Sequence, residues 1–148
     1  MRKFAVVSSY EKKGISLPQR STKDSAGYDF NSIENITLDP GAKHLFTTGV
    51  KAYMGNDEVL SLYIRSSLAT KRSLRLVNQT GIIDSDYVDN PENEGHILIC
   101  FENVGKESVF IKQGEKIAQG IFTKYLVTDD DANTKKTSRV GGFGSTGK

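Results

Sequence analysis

The sequence has no tryptophan, three prolines, two histidines and a single cysteine among 148 residues. One cysteine, Cys100, excludes an intrachain disulfide and any cysteine-rich zinc site. Its neighbours Ile97, Ile99 and Phe101 predict a strand and a buried structural thiol. His44 and His96 lie far apart with no second ligand at metal spacing, so they read as ordinary strand residues rather than ligands or members of a Ser/His/Asp triad. Long apolar runs are also missing. The opening MRKFAVVSSYEKKG holds a run too short for a signal-peptide core, and no segment approaches membrane-spanning length. The expectation is a soluble, cytoplasmic protein (host-cell cytoplasm if the source is viral). Charge of one sign is scarce as well. Twenty Lys and Arg stand among eighteen acidic residues, net +2. They are dispersed, as on a solvated surface, and not gathered into the basic face of a nucleic-acid binder. A hydrophobic content of 36% is low for a self-sufficient domain of this length. A flexible tail and a core completed by partner subunits both account for it, and both are expected.

What is present is a period of two. Leu60, Leu62 and Ile64 alternate with Ser61, Tyr63 and Arg65, and Ile97, Ile99 and Phe101 take one face of another stretch. Nearer the C-terminus Ile117, Gln119 and Ile121 should share a face opposite Ala118, Gly120 and Phe122. Such alternation marks half-buried strands. Breakers such as Asp39-Pro-Gly, Gly55-Asn-Asp, Asn90-Pro and Gln113-Gly recur at roughly the spacing of a β-sandwich or barrel. The one helix candidate is Ser66 to Arg72, with a serine at its start for an N-cap and basic residues at its end.

From Thr128 the chain turns polar and then glycine-rich, too poor in apolar surface to fold alone. Phe143, set among glycines, suggests a mobile lid carrying one ring. Gly142 to Lys148 spells both G-x-G-x-x-G and G-x-x-x-x-G-K, yet either needs a preceding strand and a following helix to hold phosphate, and the sequence offers no helix after Lys148. What survives is a set of backbone and hydroxyl donors able to wrap a phosphate chain. Asp84-Ser-Asp86 resembles the start of a calcium loop, but Val88 and Asp89 break that pattern. A carboxylate there could instead orient or deprotonate a water near a metal-bound polyphosphate. Arg65-Ser66-Ser67, ending a strand and opening the helix, has donors suited to phosphate oxygens.

In order along the chain these features resemble the five short motifs of the trimeric dUTPases: Ser25-Ala-Gly-Tyr-Asp29-Phe30; Arg65-Ser-Ser-Leu-Ala69; Asn78-Gln-Thr-Gly-Ile-Ile-Asp84-Ser-Asp-Tyr87; Gly114-Glu-Lys-Ile-Ala-Gln119; and Arg139-Val-Gly-Gly-Phe143-Gly-Ser-Thr-Gly147. There are departures. Ser67 stands where many members have glycine, Lys116 where arginine is common, and Val140 breaks the usual Arg-Gly opening of the last motif. After Tyr87 the chain runs a few residues longer than the usual Arg-Gly-Glu continuation.

The resemblance implies an all-β fold: a distorted jelly-roll barrel or sandwich with one short helix, assembled as a homotrimer with shared active sites. Residues 1–127 would form the barrel domain and 128–148 a flexible glycine-rich arm closing over a neighbouring subunit's site. It implies a dUTP diphosphatase, a hydrolase yielding dUMP and pyrophosphate, which limits uracil incorporation into DNA and supplies dUMP for dTMP synthesis. Asp84 would activate the attacking water. Asn78 and hairpin groups at Gly81 and Ile83 would read the uracil, with Tyr87 against the deoxyribose. Mg²⁺ would be held mainly by the substrate phosphates, and Asp29 would contact its shell through water. Arg65, Ser66, Ser67 and Gln119 would hold the α- and β-phosphates. Arg139, Gly144, Ser145 and Thr146 would hold the γ-phosphate, with Phe143 stacked over the base. No stable nucleic-acid partner and no membrane association are expected. A dCTP deaminase on a related fold is disfavoured by the Ile82-Ile83-Asp84 context. A dUTP sensor acting on a regulatory protein partner is compatible with the sequence as an added role.

Overall fold

A computed structural model describes residues 1–144, 146 and 147. Among these residues twelve strands and one α-helix follow one another: β1 (Lys3–Val6), β2 (Gln19–Arg20), β3 (Tyr28–Asn31), β4 (Ile36–Leu38), β5 (Lys43–Thr47), β6 (Val50–Tyr53), β7 (Glu58–Ile64), α1 (Ser66–Arg72), β8 (Leu74–Leu76), β9 (Gly81–Asp84), β10 (Leu98–Asn103), β11 (Val109–Ile111) and β12 (Lys116–Lys124). They form four sheets in the orders β2-β3-β12-β7-β9, β5-β10-β8, β1-β6 and β4-β11. All pairs are antiparallel. The expected all-β fold with one short helix is therefore present, as short sheets wrapped around one core rather than a closed barrel. Among the described residues no helix is long and apolar enough to cross a membrane.

The alternation read from the sequence builds that core. Leu60 and Leu62 of β7 are buried with Ile97, Ile99 and Phe101 on and before β10. Phe46 meets Phe101 edge-on at 5.4 Å, an arrangement that matches ring edge to ring face. The turns named as breakers bend the chain as glycine permits. Gly41 and Gly114 take φ of +81° and +87°, where a side chain would be strained. Asn103, fully buried, ties three strand ends together. Its Nδ2 donates to Leu38 O (2.9 Å) and Glu107 O (2.8 Å), and its Oδ1 accepts from Gly105 N (2.9 Å).

Four local expectations need correction. Strict alternation fails in β12: Lys116 pairs with Asn31 but Ala118 with Phe30, so a β-bulge intervenes. The extra residue turns both Ile117 and Ala118 into the core and leaves Gln119 on the opposite face. Helix α1 has the expected range, but its N-cap is Arg65, and no side chain caps it; Ser66 is the first helical residue. Cys100 is half-buried rather than buried, because it points away from the face shared by Ile99 and Phe101. His44 lies in β5 and pairs with Glu34, whereas His96 lies in the loop before β10. Burial holds the His96 imidazole below its ordinary value against the pull of Glu94, and its Nε2 accepts from Gly49 N at 2.8 Å.

Candidate active site

The first cluster of site residues follows from strand register. In the five-stranded sheet Asp29 lies opposite Gln119, and Gln119 opposite Tyr63. Arg65, one residue beyond β7, turns its Nη1 to Asp29 Oδ1 at 2.6 Å. Lys116 Nζ stands 3.3 Å from Asp29 Oδ2 and donates to Ser21 Oγ at 2.8 Å, while the Ser21 hydroxyl donates to the same carboxylate. Burial alone would raise the Asp29 carboxyl. Hydrogen bonds from Ser21 and Arg65, with the Arg65 and Lys116 cations, outweigh burial and hold it below its usual range. Ser21, Ser25, Gly27, Asp29, Arg65, Ser66 and Gln119 line a polar cavity of about 240 Å³. Gly27 leaves room for Gln119: a Cβ there would overlap Gln119 Oε1 and stand 3.0 Å from Gln119 Cβ. Cationic side chains and hydroxyls around one anchored carboxylate suit a hydrated, metal-bearing phosphate chain.

The second cluster is apolar. Gly81 lies opposite Leu62, where a Cβ would approach Leu62 Cβ at 3.0 Å, so the β9 hairpin sits close on β7. Asn78, Thr80, Gly81, Ile83, Tyr87, Leu98 and Phe143 are among the residues lining a cavity of about 270 Å³. An adjoining cavity of about 400 Å³ shares Asn78, Gly81 and Phe143 and reaches Leu45, Leu76 and Cys100. A mainly apolar cavity with one amide side chain beside a strand hairpin suits a planar heterocycle. Tyr87 forms one wall. It is 6% exposed, its OH donating to His96 O (2.7 Å) and accepting from Asn93 Nδ2 (2.8 Å). Burial pushes its phenol up against the effect of that Asn93 bond.

The third element is the arm. Residues 128–138 run largely exposed, with one short 3-10 turn at Asp131–Asn133. Residues 139–143 then return to their own chain. Arg139 Nη2 meets Asp84 Oδ2 at 2.5 Å and Nε meets Asp86 Oδ1 at 2.7 Å. Burial opposes the Arg139 charge, but Asp86 and Asp84 together raise the guanidinium above its ordinary value. Gly144 and Thr146 are exposed and line neither cavity; Ser67 is exposed on α1 and lines neither. Ser145 lies outside the described residues.

The two cavities share no residue. Asp29 and Gln119 occupy the outer face of the sheet, Leu62 and Gly81 the inner one. Asp84 is on the outer face but pairs with Val59, four residues along β7 from the Tyr63 that faces Gln119. At roughly 3.3 Å per residue that is about 13 Å. Reacting atoms must come within about 3–3.5 Å of each other. One chain thus carries the base slot and the phosphate cluster as two separate half-sites. Sequence reasoning did not assign Ser21, Gly27 or Lys116 to the site. Lys116 could have been found from its place three residues before Gln119 once the bulge is known; Ser21 carries no local signal.

Proteins of known name resemble the chain along most of its length. The family model described as dUTPase matches residues 13–147. The deoxyuridine 5'-triphosphate nucleotidohydrolase of Lactococcus lactis subsp. lactis (strain IL1403) is 48% identical over 147 residues, covering 99% of this chain and 98% of that protein. The enzyme of the same name from Rickettsia massiliae (strain Mtu5) is 36% identical over 137 residues, covering 89% of this chain and 88% of its own. A crystal structure of dUTPase from Streptococcus mutans has a TM-score of 0.78 at 42% identity, covering 85% of this chain and 98% of that one. A Staphylococcus bacteriophage 80alpha dUTPase with dUpNHpp shares the fold at 24% identity, with a TM-score of 0.73, over 99% of this chain and 98% of that one. A match that runs through nearly the whole sequence and takes in every residue of both half-sites shows that the chain belongs to the dUTPase family, the hydrolases of deoxyuridine 5'-triphosphate.

Proposed function

We propose that dUTP hydrolysis, the activity of this family, proceeds here by attack of a water on the α-phosphorus, with Asp84 holding and activating that water. The water oxygen bonds phosphorus, its proton passes toward Asp84, the bond to the bridging oxygen breaks, and dUMP and pyrophosphate leave. Convergence of Asn78, Gly81, Ile83, Tyr87 and Phe143 on one slot carries the reading of the base. Asn78 and hairpin backbone groups read the uracil edge, Tyr87 lies against the deoxyribose, and Phe143 stacks over the ring. An apolar wall rejects an added hydroxyl by only about a hundredfold, so discrimination against UTP is finite. Rejection of dCTP is stronger, because it leaves buried polar groups mismatched.

Arg65, Ser66, Ser67 and Gln119 hold the α- and β-phosphates, and Arg139, Gly144, Ser145 and Thr146 the γ-phosphate. The division of these groups between two separated half-sites supports a homotrimer in which the base slot of one subunit meets the phosphate cluster of another. The arm, residues 128–148 after the domain of residues 1–127, closes over the neighbouring subunit's site, excluding water and strengthening the charge contacts. Among the described residues no group of three or more His, Cys, Asp or Glu comes together, and the Asp29 carboxylate is already paired with Arg65 and Lys116. That donor set fits a Mg²⁺ carried by the substrate phosphates and touched by Asp29 through water, not a protein cage. The ion would supply charge neutralisation on the phosphate oxygens. In the cytoplasm such an enzyme limits uracil incorporation into DNA and supplies dUMP for dTMP synthesis. Pyrophosphate release from dUTP, with dTTP, dCTP and UTP in parallel and EDTA as control, tests substrate and metal together. Asp84→Asn should bind dUTP yet turn over poorly; near-normal turnover would remove Asp84 from its role.

A further inference from the structure

Loop 88–95 follows Tyr87 and folds back onto it. Asn90, buried, donates through Nδ2 to Tyr87 O (2.7 Å) and to Asn93 Oδ1 (2.7 Å), and its Oδ1 accepts from Glu92 N (3.0 Å) and Asn93 N (3.1 Å). Asp89 and Glu94 take φ of +58° and +64°, in the left-handed region that favours glycine. Lys51 of β6, with an 11% exposed side chain, holds both through their carboxylates at 2.6 and 2.8 Å, and Tyr53 OH donates to Asp89 Oδ2 at 2.7 Å. The loop closes at Gly95, where a Cβ would stand 2.6 Å from Val88 Cα. Unfavourable backbone persists only where its surroundings over-determine it, so the loop is a stiff support. It presents one aimed amide. Asn93 Oδ1 accepts from Asn90 Nδ2 and from Gly95 N (3.0 Å), and these two donors fix which amide atom faces the phenol. Asn93 Nδ2 donates to Tyr87 OH at 2.8 Å, and that hydroxyl donates to His96 O at 2.7 Å. Two bonds thus hold the tip of a ring that lines the base cavity.

We infer that Asn93 is a positioning residue for sugar specificity: by holding the Tyr87 hydroxyl it stiffens the wall that excludes a 2′-hydroxyl, an inference that rests on Tyr87 lying against the deoxyribose. dUTP fits with the ring at rest and leaves both bonds intact. UTP must displace the ring, and displacement breaks the Asn93 bond. The loss of that bond falls on UTP alone and so enters the ratio of the two kcat/KM values, which is where discrimination is expressed. Asn93 acts only through the phenol. Without its amide the Tyr87 hydroxyl still donates to His96 O and is not left unpaired, so the wall stays in place for dUTP but yields more readily.

The test is kcat/KM for dUTP and for UTP, read as pyrophosphate release by the full-length protein. Asn93→Ala should lower the dUTP/UTP ratio about fivefold, the worth of one neutral hydrogen bond, mainly by raising kcat/KM for UTP. Tyr87→Phe removes the hydroxyl and leaves the loop's own bonds in place, and should lower the ratio at least as much. It decides the matter even if Asn93→Ala fails to fold. Asn93→Ala added to Tyr87→Phe should lower the ratio no further, because the bond is already gone. Losses that multiply in the double variant would mean that Asn93 acts through the fold of its loop, and would overturn the inference. An unchanged ratio in Tyr87→Phe, or in a folded Asn93→Ala, would do the same. Tyr87→Ala separates the inference from the reading beneath it, since it should remove most of the discrimination. If Tyr87→Ala collapses the ratio while Asn93→Ala and Tyr87→Phe leave it unmoved, Tyr87 is the sugar wall and only the role of Asn93 fails. If Tyr87→Ala leaves the ratio unmoved, the wall lies elsewhere and both fail.

Discussion

Gly27→Ala separates binding chemistry from folding at the phosphate half-site. Gly27 is buried and its φ is not in the left-handed region, so alanine is tolerated by the backbone. The new methyl, however, would overlap Gln119 Oε1 and stand 3.0 Å from Gln119 Cβ and 3.2 Å from Cδ. The glutamine amide must rotate out of the cavity. A hydrogen bond to a charged phosphate is worth about 1.5–3 kcal/mol. At about 1.4 kcal/mol per decade, kcat/KM for dUTP should fall roughly 10- to 150-fold. The stability change should be small, because about 0.4–1 kcal/mol gained from the stiffer unfolded chain opposes the slight backbone shift. Pyrophosphate release at subsaturating dUTP and a urea melt give the two readouts. The comparison with Gln119→Ala is decisive. If the methyl acts by displacing Gln119, the double variant should be no worse than Gln119→Ala alone. Unchanged kcat/KM in Gly27→Ala, or a double variant that multiplies the two losses, would refute the steric account.

Removing residues 138–148 should leave a folded protein of very low activity, seen as an unchanged urea midpoint beside the loss of pyrophosphate release; full activity would mean that the arm is dispensable. Asn103→Ala deletes two donated bonds and one accepted bond at a fully buried site and should cost about 3 kcal/mol in a urea melt. A loss under 1 kcal/mol would show that water satisfies those backbone groups. Asp29 has a carboxyl held below its ordinary value of 3.8. A depressed folded-state value adds stability above the unfolded value, and that stability is lost as pH falls through the folded one. Below about pH 4 the parent should therefore lose melting temperature more steeply than Asp29→Asn, measured by circular dichroism; parallel curves would mean that another carboxylate governs acid unfolding.

Much of this was legible because it is local. The alternation at Leu60–Ile64 and Ile97–Phe101, the helix at Ser66–Arg72 and the turn glycines all emerge where the sequence puts them. Asn78, Gly81, Ile83, Tyr87 and Phe143, expected from motif order to meet the base, come together around one cavity. The bulge in β12 was not legible, since nothing in Lys116-Ile-Ala-Gln119 says that Asn31 and Phe30 will face residues two apart. The Ser21 and Lys116 contacts to Asp29 span 8 and 87 positions, counting 29 − 21 and 116 − 29, and no periodicity reports such pairings.

By itself the sequence determined where strands, helix and turns lie, because side-chain period, φ preference and hydrogen-bonding groups act over a few residues. In motif order it also determined the family. The tertiary structure decided which faces meet: that Asp29 is clamped by two cations, and that base slot and phosphate cluster are lined by different residues. Those outcomes depend on strand register and packing between distant segments, where a single bulge reverses the side to which a functional group points.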